Sequence, residues 1–218
     1  MTKIIGIAQV KGGAGRSTIA TNLAAMLATK GKTILIDCDM PQGTSMSWYA
    51  IRSEANKVES LTLATVTDHK ELVELIQQFD ESYRYIILDA PPRIAEMTRV
   101  MLMLSNLLII PLGTSAAEIW ATTDLLETID EAKQKRPQLD YRILWNRYRR
   151  NTKSAKELSN AVHKELKAPE FKTKLGYRVA YPDALANGLS VSEWHDKTAK
   201  NEINDLMTEV IKILKRGN

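Results

Sequence analysis

A single cysteine, three histidines and two phenylalanines are all that the 218 residues hold of those types, and aromatic residues make up 6% of the chain. The lone Cys38 excludes a disulfide framework and a cysteine-rich metal cluster, and a reducing compartment is expected. His69, His163 and His195 are too scattered for ligand spacing. No serine stands in a nucleophile-elbow pattern, which leaves Ser-His-Asp hydrolysis without support. Nowhere do eighteen apolar residues run together, so no membrane span is expected, and the apolar run near Met1 is too short for a signal peptide. A soluble, cytoplasmic protein is the expectation. Linkers, repeats and low-complexity tracts are also missing, so residues 1–218 are expected to form one domain.

What is present is an ordinary globular composition, 44% hydrophobic and 26% charged, with a formal charge of +4. That charge is unevenly spread. Residues 1–140 carry 14 basic and 17 acidic side chains, a balance of −3, whereas residues 141–218 carry 16 basic and 9 acidic, a balance of +7. The last third therefore either faces a polyanion or is simply a solvated basic face.

Apolar runs alternate with helical periodicity along the chain. Strands are expected at Ile4–Val10, Thr33–Ile36, Leu61–Val66, Tyr85–Leu88, Asn106–Ile110 and Tyr141–Trp145. Helices are expected at Thr18–Thr29, from about Thr44, at Asp68–Gln78, Ala116–Lys135, Ser154–Leu166 and Thr198–Lys215. This is the pattern of an α/β fold, a doubly wound and mostly parallel sheet with helices on both faces, whose ligands bind at the carboxyl ends of the strands.

Those ends hold the chemistry-bearing residues. Lys11-Gly12-Gly13-Ala14-Gly15-Arg16-Ser17-Thr18 follows a strand and opens a helix, the setting in which successive backbone N–H groups and a helix N-terminus cradle phosphates. Arg16 stands where a cation would reach the β- and γ-phosphates, and Ser17 where a hydroxyl would complete a Mg²⁺ shell. Two later strands end in Asp37-Cys38-Asp39 and Asp89. Cys38 reads as a small packing residue, and Trp48, Trp120, Trp145 and Trp194 as core or interface anchors.

These motifs resemble the ParA/MinD group of deviant Walker P-loop ATPases, whose pattern is KGGxGK[ST]T, then DxDPQG, then a strand ending in Asp before Pro. IIPLGTSAAEIWATTDLL and YRVAYPDALANGLSVSE are similar to further stretches of that group, so the resemblance spans nearly the whole chain and is nearest to small ParA proteins. It implies binding of ATP and Mg²⁺ and weak basal hydrolysis. It also implies that Lys11 reaches across a nucleotide-sandwich homodimer, that Asp39 positions water and Mg²⁺, and that Asp89 stands behind the Mg²⁺ waters. Asn146 would meet the adenine edge; a local Asx turn is the alternative.

Two departures stand out. Arg16 replaces the loop lysine of the family, an exchange that is not conservative at a snug phosphate site and is expected to slow hydrolysis. Met40 splits the DPQG element, which loosens the placement of Gln42 and Gly43. Beyond the loop, Arg147, Arg149, Arg150, Lys153 and Lys156, with Lys164, Lys167, Lys172, Lys174 and Arg178, form a candidate stripe for non-specific DNA, and the resemblance implicates Arg178 there. It further implies nucleoid association, a ParB-type centromere-binding or adaptor partner, and segregation of plasmid or chromosome DNA. A protein cargo, or a hydrolysis-impaired ATP-dependent DNA-binding regulator, is the alternative. The last helix carries Ile203, Leu206, Val210, Ile213 and Leu214 along one face; packing on the sheet is favoured over a membrane surface, and no stable membrane association is expected.

Overall fold

A computed structural model describes residues 2–40, 42–79, 81–93, 96–149, 162–163 and 166–216. Six strands alternate with helices: β1 (Lys3–Ile7), α1 (Arg16–Ala28), β2 (Thr33–Asp37), α2 (Thr44–Glu54), β3 (Leu61–Thr65), α3 (His69–Gln78), β4 (Tyr85–Asp89), α4 (Glu96–Leu104), β5 (Leu107–Leu112), α5 (Ala116–Lys135) and β6 (Asp140–Trp145). Then follow α6 (Ala180–Ala186) and α7 (Lys197–Arg216). The strands form one sheet in the order β3-β2-β4-β1-β5-β6, and every neighbouring pair is parallel.

Period-two alternation within the apolar strands supplies two layers of core. Ile5, Ile7, Leu35, Ile87, Leu107 and Ile109 face one layer, where α1 adds Ile19, Leu23 and Leu27 and α7 adds Ile203, Leu206, Val210 and Leu214. Ile34, Ile36, Ile86, Leu88, Leu108 and Ile110 face the other, against Leu72 of α3, Met101 of α4 and Leu125 and Ile129 of α5. The apolar stripe of α7 is thus spent on the sheet, each large side chain contributing about 1.5–3 kcal/mol.

Local chemistry sets the boundaries. Asp68 accepts from the backbone N–H groups of Lys70 and Glu71 to start α3, and Ser115 Oγ accepts from the Glu118 N–H while donating to the Glu118 carboxylate at the start of α5. Pro111 is tolerated inside β5 because β1 pairs only as far as Ile109, so its missing N–H costs no ladder bond on that side. The chain past β6 returns along its outer edge, with Phe171 and Leu175 donating to Ile143 and Trp145.

Some expected bounds shift. The first strand ends at Ile7 rather than Val10, where its register with Asp89 of β4 ends. Helices α4 and α6 are additional to the expected set. The helix expected at Ser154–Leu166 falls almost wholly outside the described residues. With β1 between β4 and β5, connections leave to both sides of the sheet and open a crevice at the carboxyl ends of these strands.

Candidate functional site

The loop between β1 and α1 lies in that crevice. Gly13 and Gly15 hold φ of +73° and +93°, left-handed values that turn successive N–H groups toward one point. At Gly15 a side chain is also excluded by space, since a Cβ there would lie 2.2 Å from Asn146 Nδ2. Loop and α1 border a cavity of about 450 Å³ that Asp39, Gln42, Pro92 and Arg147 complete. A larger cavity of about 660 Å³ lies at the opposite end of the sheet, by Lys3, Tyr85 and Leu214. It has neither a glycine loop nor an aspartate, so the smaller cavity is the chemically equipped one.

Three aspartates border the crevice in different ways. Asp37 is fully buried, and its carboxylate accepts from the N–H groups of Asp39 and Met46, both at 3.0 Å, which holds the start of α2 against the end of β2. Asp39 turns into the cavity and meets Arg16 at 3.5 Å. Asp89 is fully buried beside Asp37 in the ladder. Burial pushes its carboxyl up to about 7, with the Asp37 charge adding and the Ser17 and Ser45 hydroxyls and Arg16 opposing. Among the described residues only Ser45 Oγ, at 2.8 Å, has hydrogen-bond geometry to this carboxylate, and Oδ1 is buried without a partner among them. A buried, orphaned carboxylate oxygen near a serine hydroxyl at a phosphate loop is a donor set that fits Mg²⁺, with Ser17, Asp39 and Asp89 as the residues that would hold it. Among the described residues no three His, Cys, Asp or Glu side chains gather to bind a metal alone, so ligand and water oxygens would complete the shell. Between these acids, burial first and then Asp89 push the Cys38 thiol well up, in keeping with a packing role.

The two cations of the loop differ sharply. Arg16 is 6% exposed; Nε donates to Ala90 O at 2.8 Å and Nη1 to Gln9 O and Lys11 O at 2.7 and 3.0 Å. The residue at the family's lysine position therefore ties β1, the phosphate loop and the exit of β4 together. Lys11 is exposed, and its ammonium has no partner among the described residues.

Asn146 is 6% exposed behind the loop and borders a further cavity beside it. Its Nδ2 donates to Ala14 O at 2.8 Å, and its Oδ1 accepts from Arg147 N–H at 3.0 Å. Beside it a second cavity, of about 320 Å³, runs from Gly15 and Thr18 to Tyr177, Val179 and Pro182. Its mixed apolar and polar wall, adjoining the phosphate loop, suits a planar base.

Several of the described basic residues of the last third are engaged by neighbours. Arg147 borders both cavities. Arg149 lies 4.6 Å over the Tyr177 ring, and Lys174 lies 4.4 Å over the Tyr148 ring. Arg178 is bound to Glu202 by Nη2 at 2.8 Å and Nε at 3.1 Å. Arg150, Lys153, Lys156 and Lys164 lie outside the described residues. Of the tryptophans, Trp48 and Trp145 are core, while Trp120 is 72% exposed on α5.

Sequence reasoning missed a hub at residues 188–193. Leu189 O accepts from Trp48 Nε1 at 3.2 Å, Glu193 takes Arg52 Nη1 at 2.9 Å, and Asn22 Oδ1 accepts from Val191 N–H at 2.8 Å. This loop joins α1, which begins at the phosphate loop, to α2, which begins at Gly43 beside Gln42. The signal available was the GLSVSE stretch, whose Leu189 and Val191 backbones and Glu193 carboxylate make these contacts. Glu202, which accepts from Gly176 N–H as well as from Arg178, was missed too, because its partners lie 24 and 26 residues away.

A parallel doubly wound sheet with a glycine loop opening its first helix, and acidic strand ends around that loop, defines a P-loop nucleotide-binding protein. The sequence matches the family described as ATPase MipZ over residues 3–210. The chain belongs to that family, within the ParA/MinD group of deviant Walker ATPases. It is 27% identical over 210 residues to maintenance of carboxysome distribution protein A of Halothiobacillus neapolitanus, covering 95% of each chain. It is 26% identical over 251 residues to the sporulation initiation inhibitor protein Soj of Bacillus subtilis, covering 96% of this chain and 98% of Soj. Its fold matches septum site-determining protein MinD of Pyrococcus horikoshii, a structure with Mg-ADP, at a TM-score of 0.77 and 17% identity, over 100% and 99% of the two chains.

Proposed function

We propose that this chain is an ATP-driven positioning switch: with Mg²⁺ and ATP it pairs with a second copy, the pair binds DNA without regard to sequence, and hydrolysis to ADP and phosphate returns monomers. The observation that carries this reading is the glycine loop beside Ser17, Asp39 and buried Asp89, with an exposed Lys11 that has no side-chain partner among the described residues. Backbone N–H groups of the loop and the α1 terminus would hold the phosphates. Mg²⁺ in this site would offset phosphate charge. In this reading Asp39 orients the attacking water, and the exposed Lys11 reaches the phosphates of the partner copy.

Arg16 supports slow basal turnover as part of the same reading. Three of its five N–H donors are committed to carbonyls, which leaves less of its fork for a transferring phosphoryl group than a lysine head would offer. In the extreme this is the hydrolysis-impaired, DNA-binding regulator. Turnover with and without DNA, for the wild type and for Arg16→Lys, tests it: slow wild-type turnover that rises several-fold in the variant is expected, and a brisk wild-type rate contradicts the Arg16 argument. Failure of ATP to bind at millimolar Mg²⁺ contradicts the site reading itself.

For cargo, the end-to-end match to a carboxysome distribution protein favours a protein assembly held through an adaptor. The match to Soj supports the second reading, partition of plasmid or chromosome DNA with a ParB-type partner. Deleting the gene in its host separates them: clustered protein assemblies with stable DNA inheritance support the first, and loss of DNA from daughter cells the second. Binding to random duplex DNA, lost steeply as salt rises, is expected in either case.

A further inference from the structure

We propose that Arg147 is the phosphate-contacting cation of this site, the role that Arg16 leaves open by committing its guanidinium to backbone carbonyls; the proposal rests on the nucleotide-site reading above. Arg147 follows β6 with φ of +52°, a left-handed conformation that non-glycine residues adopt at a cost of about 1–2 kcal/mol. The conformation is held from both sides. Its own N–H donates to Asn146 Oδ1 at 3.0 Å, and the N–H of Tyr148 donates to Leu175 O at 2.8 Å. Asn146 is itself bound to Ala14 O of the phosphate loop, so the loop and the arginine are one built unit.

The strained backbone aims the side chain at the loop. Nη2 lies 3.8 Å from where a Cβ on Gly13 would stand, and the residue borders the phosphate-loop cavity and the base cavity together. Its guanidinium has no ion-pair or hydrogen-bond partner among the described residues. An exposed arginine with an unspent fork, over a ring of backbone N–H groups, matches a polyphosphate in charge and in bidentate geometry. Arg16 is in the opposite condition, 6% exposed with its Nε and Nη1 donors on Ala90, Gln9 and Lys11. The family's lysine position has become a positioning residue, and the phosphate cation comes from the end of β6.

Calorimetric titration of the full chain with ATP and with inorganic tripolyphosphate, each with Mg²⁺, tests this in wild type, Arg147→Ala, Arg147→Gln and Arg147→Lys. The expected result is that Arg147→Ala and Arg147→Gln loosen both ligands tenfold or more by the same factor, with Arg147→Lys recovering part of it, and that the ligand-free unfolding temperatures stay close to wild type. Loss of ATP affinity with tripolyphosphate unchanged would make Arg147 a base contact and overturn the proposal. Unchanged affinity for both ligands with loss of duplex-DNA binding would place it on a DNA surface and overturn it equally. A wild-type chain that binds neither ligand overturns the nucleotide-site reading itself, whereas the other two outcomes overturn the Arg147 assignment alone.

Discussion

The cations beside the phosphate loop, one of which, Arg147, belongs to the basic last third, are in the opposite state to Arg149 and Arg178 of that same third. Lys11 and Arg147 are exposed, with head groups unpartnered among the described residues; Arg147 borders the cavity of about 450 Å³, and Lys11 precedes the glycines that line it. Arg178 and Arg149, in the region with the larger positive balance, are already engaged by Glu202 and by the Tyr177 ring. Formal charge alone thus does not say which cations are open to a ligand: Arg147 and Arg178 both belong to the last third, and of the two Arg147 has the unspent head group. A cation held by a carboxylate acts first as structure, and its electrostatic reach is offset by its partner.

Each side of this contrast can be broken separately. The largest effect concerns the buried acid at the end of β4. The Asp89 carboxyl titrates at about 7 when folded, above the ordinary aspartate value near 4, so between these pH values the folded chain binds more protons than the unfolded one. Mg²⁺-free stability therefore falls as pH rises from about 4 to 7, by up to about 4 kcal/mol, and is flat above. Unfolding temperatures at pH 5 and pH 8 in Asp89→Asn check this; the variant loses that part of the slope, and an identical slope would contradict the buried-charge account.

Next in size is the pair that occupies Arg178. Glu202 accepts from Gly176 N–H, Arg178 and the Tyr181 hydroxyl, so Glu202→Ala strands several donors and costs about 2–4 kcal/mol in denaturant unfolding. It also frees Arg178, and tighter binding of random duplex DNA is expected. Unchanged stability would mean that Arg178 was never committed.

Arg16→Lys removes the fork that joins Ala90, Gln9 and Lys11, and loses about 1–2 kcal/mol by chemical denaturation, in addition to the rise in turnover described above. Smallest is Arg149→Ala, where the contact with the exposed Tyr177 ring is worth about 0.5–1 kcal/mol. A loss of several kcal/mol there would show that this edge of the molecule is more tightly built than its exposure suggests.

Much of the fold was legible because apolar strands and helical stripes are local patterns. All six strands and the helices at α1, α2, α3, α5 and α7 fall where periodicity and capping residues place them, within a few residues. Helix α4 was not expected because Pro91-Pro92 precedes it and its Met- and Leu-rich run does not contrast with the strand that follows. Helix α6 is a single short element of seven residues. At the site, the glycine loop and the strand-end aspartates were legible by spacing. The commitments of individual groups were not: the Ala90 carbonyl lies 74 residues from Arg16, the Ala14 carbonyl lies 132 from Asn146, and the border of Arg147 on the loop cavity joins segments well over a hundred residues apart in sequence. These are contacts made by tertiary folding, and no local pattern carries them.

The central claim is that an unspent lysine at the loop rim couples ATP to pairing of two chains. Light scattering on the purified protein with Mg²⁺ and a slowly hydrolysed ATP analogue, for wild type and Lys11→Ala, measures this directly. The account predicts a doubling of molar mass for the wild type with the analogue, none with ADP, and a Lys11→Ala chain that binds the analogue but stays at monomer mass. A variant that doubles its mass as the wild type does would contradict it.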